Sequence, residues 1–174
     1  EGAKHWLREW CQKESLRDCL TDLSDDDIVM VGDVDELYEP SMTYDCQEPL
    51  KIMLRVYTYW LNNRSTEEFW GTLRACYKDI KNECLNHLRV NAKKGLWYGG
   101  WHFTSLAPYL KQKLQDSYTE ETYATKQVLD NLEDNIKEGR DFLGRNFKYK
   151  VDESELPKWL LENKQKYLHL FKNE

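Results

Sequence analysis

The chain has 174 residues, of which 40% are hydrophobic and 32% are charged, and its formal net charge is −6. This mixture predicts one folded domain over residues 1–174 and argues against an intrinsically disordered chain. The acidic balance, with both signs interspersed, argues against a nucleic-acid-binding protein, which would need a basic face. No apolar run is long enough for a membrane span, so we expect none in this segment.

The first predicted element is an amphipathic helix near the start of the chain. Apolar residues recur there at helical spacing, at Ala3, Trp6, Leu7, Trp10 and Cys11. That spacing predicts one buried stripe along the helix. Residues 28–31 are four consecutive apolar residues, which predict a short strand buried on both faces.

The middle of the chain alternates between strand and turn signals. Residues 51–61 alternate in polarity and predict a strand with one buried face, followed by a polar turn at 62–65. We predict a further strand at 69–77, a helix at 79–88 and a turn at 93–95.

Helical patterns dominate from Pro108 onward. Val128, Leu129, Leu132 and Ile136 share one helical face, and Gly139 is placed to end that helix. The whole pattern predicts an α/β fold, with a mixed sheet, flanking helices and a helical C-terminal third.

The strand at 28–31 leads directly into an acidic segment with one glycine at the joint. Asp33 and Asp35 are two residues apart, so in an extended segment their side chains point the same way. Two carboxylates on one side predict a site for a hard divalent cation such as Mg²⁺, Mn²⁺ or Ca²⁺.

Three interpretations of this segment compete. A calcium loop of the EF-hand type needs an oxygen ligand and a glycine where this chain has Leu37 and Tyr38, so we reject it. A haloacid-dehalogenase-type phosphatase fits the strand and the aspartate spacing, but its following Gly-Thr is replaced by Glu36-Leu37. The third interpretation is the Asp-x-Asp turn of nucleotide-sugar glycosyltransferases, in which a cation bridges the donor diphosphate.

Several further segments favour the third interpretation because they occur together and in order. These segments are Asp26-Asp27-Ile28, Gly32-Asp33-Val34-Asp35-Glu36-Leu37, Val56-Tyr57-Thr58-Tyr59-Trp60-Leu61-Asn62, Trp70-Gly71-Thr72, Gly99-Gly100-Trp101-His102-Phe103-Thr104, Gly139-Arg140-Asp141 with Gly144-Arg145, and Leu156-Pro157. On these residues the chain resembles glycosyltransferase family 17, the family of β-1,4-mannosyl-glycoprotein 4-β-N-acetylglucosaminyltransferase and its microbial and viral relatives.

The resemblance implies a GT-A-like fold and an inverting transfer from a UDP-sugar, UDP-N-acetylglucosamine in the characterised branch, to a glycan or glycoprotein acceptor. It also implies Mn²⁺ or Mg²⁺ as the cofactor. The residues that it assigns to donor binding are Asp33, Asp35, Gly99, Gly100, Trp101 and His102. Asp33, Asp35 and His102 are the expected metal ligands, and Glu36 either steadies the turn or reaches the donor.

The chain departs from the family pattern in two places. An inverting transfer needs a general base, and the expected His-x-Glu positions hold Glu120 and Thr122, which leaves Glu120, Glu121 and, less directly, Asp116 as candidates. Only about thirty residues precede Asp33, fewer than a GT-A donor-binding half normally has. We therefore expect either a fragment of a longer catalytic domain or a reduced version of it.

These departures leave a second interpretation open, a glycosyltransferase-like binding domain that has lost turnover. The compartment is open as well. It would be cytoplasmic for a microbial or viral member, and the Golgi lumen for a eukaryotic member with an upstream anchor.

Overall fold

A computed structural model describes residues 4–41, 48–96, 98–116 and 123–173. These residues form a mixed α/β structure, with a mixed sheet and flanking helices. The described helices include none with the length and apolar character that a membrane span requires.

The strands are β1 (Ile28–Val31), β2 (Glu36–Tyr38), β3 (Leu50–Thr58), β4 (Asn63–Cys76), β5 (Lys93–Leu96), β6 (Gly100–Thr104) and β7 (Tyr149–Val151). The sheet order is β1-β4-β3-β6-β2, with β5 paired to β3 and β7 paired to β4. The helices are α1 (Lys4–Ser15), α2 (Tyr77–Ile80), α3 (Leu85–Asn91), α4 (Ala107–Asp116), α5 (Lys126–Asp130), α6 (Leu132–Glu138) and α7 (Lys158–Glu162). Two 3₁₀ helices span Leu16–Cys19 and Lys164–Leu170.

The described residues divide into two compact units. Unit 1 is drawn from Glu1–Leu54 and Phe69–Gly100, and unit 2 from Arg55–Glu68 and Trp101–Glu174. The prediction of one domain over 1–174 stays a prediction.

The described residues of unit 1 form an apolar core beneath the antiparallel pair of β1 and β4. Val29 pairs with Ala75 and Val31 with Leu73, so alternate residues of both strands share the buried face. Ile80 of α2 and Leu85 of α3 complete this core. Ile28 is 49% exposed, so β1 is buried on one face only and the prediction of two buried faces is wrong.

In unit 2 the described residues form two apolar clusters. Tyr57, Leu61 and Trp101 pack with Leu156, Leu160 and Phe171 in one of them. The other cluster consists of Tyr59, Leu110, Leu114, Ala124, Leu132 and Phe142. Gly139 follows α6 with φ 67°, which confirms the predicted glycine C-cap in the left-handed region.

The helix predicted at the start of the chain is confirmed as α1, but its buried stripe is not. Leu7 is 60% exposed and Trp10 is 48% exposed. Polar contacts fix this part of the chain instead, because the Arg17 guanidinium donates to the Ile80 and Lys81 carbonyls at 2.9 and 2.8 Å.

Two predicted turns are strand residues. At 62–65 the turn comes earlier, and the buried Asn63 already begins β4, with its amide Nδ2 donating to the Thr58 carbonyl at 2.9 Å. Lys93-Lys94-Gly95 belongs to β5, parallel to β3, and both lysines stay exposed there. Exposed lysines are compatible with a strand whose outer face meets solvent.

Candidate functional site

The acidic segment after β1 is a β-turn of unit 1. The Glu36 N–H donates to the Asp33 carbonyl at 3.0 Å, and Val34 is fully exposed at the tip. The extended conformation predicted for Asp33 to Asp35 is therefore wrong. The same-side argument for the two carboxylates fails with it, since the backbone reverses direction between them.

One arginine organises the carboxylates of this turn. Arg89 of α3 donates from Nη1 and Nη2 to the two Asp33 oxygens, at 3.0 and 2.8 Å. Its Nη2 also lies 2.5 Å from Glu36 Oε1, and its Nε donates to the Gly71 carbonyl at 3.0 Å. The guanidinium is thus held by the turn, by β2 and by β4 together.

Glu36 is the buried member of this cluster, since its side chain is 0% exposed. The Thr72 hydroxyl donates to Glu36 Oε2 at 2.9 Å. Two glycines leave room for the Glu36 carboxylate. A Cβ added at Gly71 would lie 2.7 Å from Glu36 Oε1, and one added at Gly32 would lie 2.9 Å from Oε2. Of the two expectations for Glu36, this burial favours steadying the turn over reaching a donor.

The charges around Asp33 hold its carboxyl in the ionised form. Burial by itself raises the pKa of Asp33, but hydrogen bonds from Arg89 and the positive charges of Arg89 and Lys13 hold the pKa below its usual value of 3.8. Lys13 Nζ lies 3.5 Å from Asp33 Oδ1. Burial lowers the pKa of Arg89, but its hydrogen bond to Asp33 and the negative charges of Glu36, Asp33 and Glu9 hold that pKa above its usual value.

A cavity of about 610 Å³ opens beside Asp33 within unit 1. This volume lies in the range of small-molecule binding sites, roughly 300–1,000 Å³. Its lining combines aromatic rings with charged side chains: Glu9, Trp10, Lys13, Asp33, Lys51, Phe69, Trp70, Gly71, Asn86, Arg89 and Val90.

Helix α1 brings Trp10 and Lys13 to this cavity. Glu14, one residue on from Lys13, accepts hydrogen bonds from the Leu85 and Asn86 N–H groups at 3.3 and 2.8 Å. A carboxylate at the first turn of a helix such as α3 satisfies donors that have no partner within the helix. Glu14 thereby ties the end of α1 to the start of the helix that bears Arg89.

A divalent cation at Asp33 does not fit this arrangement. Both Asp33 oxygens accept hydrogen bonds from a guanidinium, and the Arg89 and Lys13 charges offset the negative charge that would attract a metal. Across residues 4–41, 48–96, 98–116 and 123–173, no three His, Cys, Asp or Glu side chains are grouped as metal ligands.

The Gly99–His102 segment is divided between the units. Gly99 and Gly100 belong to unit 1, where a Cβ added at Gly100 would lie 2.0 Å from the Leu37 carbonyl oxygen. The Gly100 backbone therefore closely approaches the backbone of β2. Trp101 is 7% exposed in the core of unit 2, and its Nε1 donates to the Glu155 carbonyl at 2.6 Å. Its ring belongs to that core and is no exposed platform for a sugar.

His102, the third expected metal ligand, lies in unit 2, whereas Asp33 and Asp35 lie in unit 1. In β6 it stands beside Val56 of β3, and its charge acts on Glu67. Burial raises the pKa of Glu67, and the charges of Arg145 and His102 oppose part of that rise.

Of the three candidate general bases, only Asp116 is among the described residues. Glu120 and Glu121 lie outside the described residues. Asp116 is the exposed last residue of α4 and accepts a hydrogen bond from Gln112 Nε2 at 2.6 Å.

Sequence reasoning missed the cationic residues of the cavity. Arg89 is 56 positions from Asp33 and lies on a short helix without any motif around it. Lys13 and Lys51 are polar members of amphipathic patterns, which by themselves predict a solvent-facing position. No local signal in the chain would have found them.

Comparisons with protein-family models, with curated proteins and with solved structures found no match for this chain.

Proposed function

We propose that the chain is a glycosyltransferase with a GT-A-like fold. It moves a sugar, N-acetylglucosamine in the branch that it resembles, from a nucleotide-diphosphate donor to a hydroxyl group of a glycan or glycoprotein acceptor. The order of segments that resembles family 17 is the source of the proposal.

One observation of the structure supports it. The acidic turn after β1 lies at the margin of a cavity of about 610 Å³ whose lining carries both aromatic rings and cations. Rings of Trp10, Phe69 and Trp70 can stack on a planar base or pack on a sugar, and Lys and Arg can bind phosphate oxygens. Asp33 fixes the Arg89 guanidinium at this site, and Glu36 fixes it from the buried side.

Release of UDP tests the proposal. A panel of UDP-sugars is incubated with the protein and a glycoprotein-derived glycan, with and without Mn²⁺, and free UDP is measured. We expect turnover well above the protein-free rate with one donor. Asp33→Asn should lower the rate about 100-fold, because losing one preorganised electrostatic contact costs about 2.7 kcal/mol of transition-state stabilisation.

Asp26→Asn is the matched control. It also removes one aspartate charge, but Asp26 is 88% exposed and pairs with Lys78 away from the cavity lining. Its rate should equal that of the unsubstituted protein. Absence of turnover with every donor, with and without Mn²⁺, would overturn the proposed transferase.

A specific observation favours the second interpretation, a binding domain without turnover. Both oxygens of Asp33 are already engaged by Arg89, as expected of a carboxylate that has a structural task. UDP binding together with no transfer would identify this case. The phosphatase alternative requires Asp33 as the nucleophile, and release of phosphate from an aryl phosphate would support it.

A further inference from the structure

The charges that line the unit 1 cavity differ in sign from the chain as a whole. The chain carries a net charge of −6, yet the lining holds three cations, Lys13, Lys51 and Arg89, against two carboxylates, Glu9 and Asp33. The buried Glu36, which contacts Arg89 from behind the lining, brings the carboxylates to three. What favours an anionic ligand is therefore the position of Lys51, a cation that no described carboxylate offsets, and not the sum of the charges.

Two of the three cations are already paired with carboxylates, and Arg89 has two of them, Asp33 and the buried Glu36. Lys13 forms ion pairs with Glu9 and Asp33, and Arg89 holds Asp33 through two hydrogen bonds. The Arg89 side chain is 12% exposed and is fixed by four hydrogen bonds, so its guanidinium is preorganised and keeps one of its five N–H donors for a ligand.

Lys51 is the cavity cation for which the described residues provide no carboxylate partner. It lies on β3, opposite Lys94 of β5, and its Nζ donates to the Val90 carbonyl at 2.8 Å. Among the described residues no Asp or Glu lies within ion-pair distance of Lys51. An ammonium group has three donors, so two remain for a ligand.

We infer that this cavity holds the phosphate groups of its ligand directly through Lys51 and Arg89, with no divalent cation between Asp33 and the ligand. Asp33 is then a positioning residue that orients the Arg89 guanidinium. Lys51 supplies the positive charge that the diphosphate neutralises. The inference rests on the proposed function for the identity of the ligand as a nucleotide diphosphate.

Calorimetric titration of UDP and of inorganic pyrophosphate, each in EDTA and in Mn²⁺, tests this inference. We expect both ligands to bind in EDTA, with dissociation constants within about twofold of those in Mn²⁺. Lys51→Gln should weaken binding of both about tenfold, since one charge-assisted contact is lost. Uridine without phosphate should bind far more weakly than UDP.

Lys93→Gln is the matched control because it removes the same charge from β5. Lys93 is 72% exposed, pairs with Glu48 and does not line the cavity. It should leave both dissociation constants unchanged. Arg89 is tested in the double variant Glu36→Gln/Arg89→Gln, which avoids leaving the buried Glu36 without its cation and should also bind both ligands more weakly.

Three results would overturn the inference: binding that requires Mn²⁺ and is lost in EDTA, an unchanged affinity in Lys51→Gln, or no binding of either ligand in either buffer. The proposed function fails separately. Metal-independent UDP binding without sugar transfer would support the inference and overturn the proposed transferase. Sugar transfer that depends strictly on Mn²⁺ would support the transferase and overturn the inference.

Discussion

Each unit contains an aspartate held by an arginine through two side-chain contacts, and the two pairs are buried in opposite ways. In unit 1 the Arg89 side chain is 12% exposed and the Asp33 side chain 45%. In unit 2 the Arg145 side chain is 41% exposed and the Asp141 side chain 0%. The buried partner is therefore the cation in one unit and the anion in the other.

The surroundings explain the difference. Asp141 accepts hydrogen bonds from the Leu143 and Arg145 backbone at 3.0 and 3.1 Å, and from the Tyr149 hydroxyl at 2.8 Å. Asp141 therefore fixes the loop that follows it. It is not among the residues that line the described cavities. Asp33 instead lies beside a cavity, where a ligand can reach its arginine. The same type of pair thus stabilises the fold in unit 2 and borders a candidate binding site in unit 1.

The largest effect is expected from Asp141→Ala. The substitution leaves two backbone N–H groups, a guanidinium and a tyrosine hydroxyl without their acceptor, so we expect a loss of about 3 kcal/mol in the free energy of unfolding. Urea unfolding followed by tryptophan fluorescence measures it. Asp130→Ala, which removes an exposed partner of Lys126, should leave the midpoint almost unchanged. A loss below about 1 kcal/mol for Asp141→Ala would contradict the structural assignment.

Acid should cause only part of the loss of stability that Asp141→Ala causes. Burial raises the pKa of Asp141, but hydrogen bonds from Arg145 and Tyr149 outweigh it and hold the pKa below the usual 3.8. Because the folded pKa is depressed, its contribution to stability is present above about pH 4 and disappears as the pH falls through the folded value. Protonation keeps the side chain in place, so the effect is smaller than that of truncation.

Unfolding measured between pH 7 and pH 2.5 tests this pH dependence. Asp141→Asn should flatten the acid limb of the stability curve. Asp33→Asn should flatten it less, since Asp33 is the more exposed aspartate of the two. Equal flattening would contradict the difference in burial on which the comparison depends.

The smallest effect is expected from Thr72→Val in unit 1. The nearly isosteric change removes the hydroxyl that donates to the buried Glu36, at a cost of about 1–2 kcal/mol. Thr58→Val in unit 2 is the matched control, because within the described residues the buried Thr58 hydroxyl has no hydrogen-bond partner. That control should be neutral or stabilising in thermal unfolding. Equal destabilisation by both variants would show that the Glu36 hydrogen bond adds nothing.

The sequence predicted those features that depend on short-range patterns. A run of four apolar residues predicted β1, the helical spacing predicted α1, and Gly139 predicted the end of α6. It predicted an acidic segment directly after β1, but not the β-turn that reverses the backbone there. The predicted helix at 79–88 is split into α2 and α3, with Cys84 capping the second through the His87 N–H.

Short-range patterns failed where polar groups meet partners far along the chain. The apolar stripe of α1 predicted burial for Leu7 and Trp10, but Arg17 and Glu14 fix this segment through backbone groups 63 and 72 residues away. The polar residues at 62–65 predicted a turn, but hydrogen bonds within the fold allow the buried Asn63 to begin a strand.

The sequence by itself determined that a strand delivers Asp33, Asp35 and Glu36 to one turn, because apolar runs and glycine joints act over a few residues. Only the tertiary structure decided that Arg89 holds Asp33 and Glu36, that Glu36 is buried, and that Lys51 lines the cavity without a carboxylate partner among the described residues. The physical reason is that a charged side chain is stabilised by whichever group packing brings within about 3 Å. That partner has no required distance along the chain.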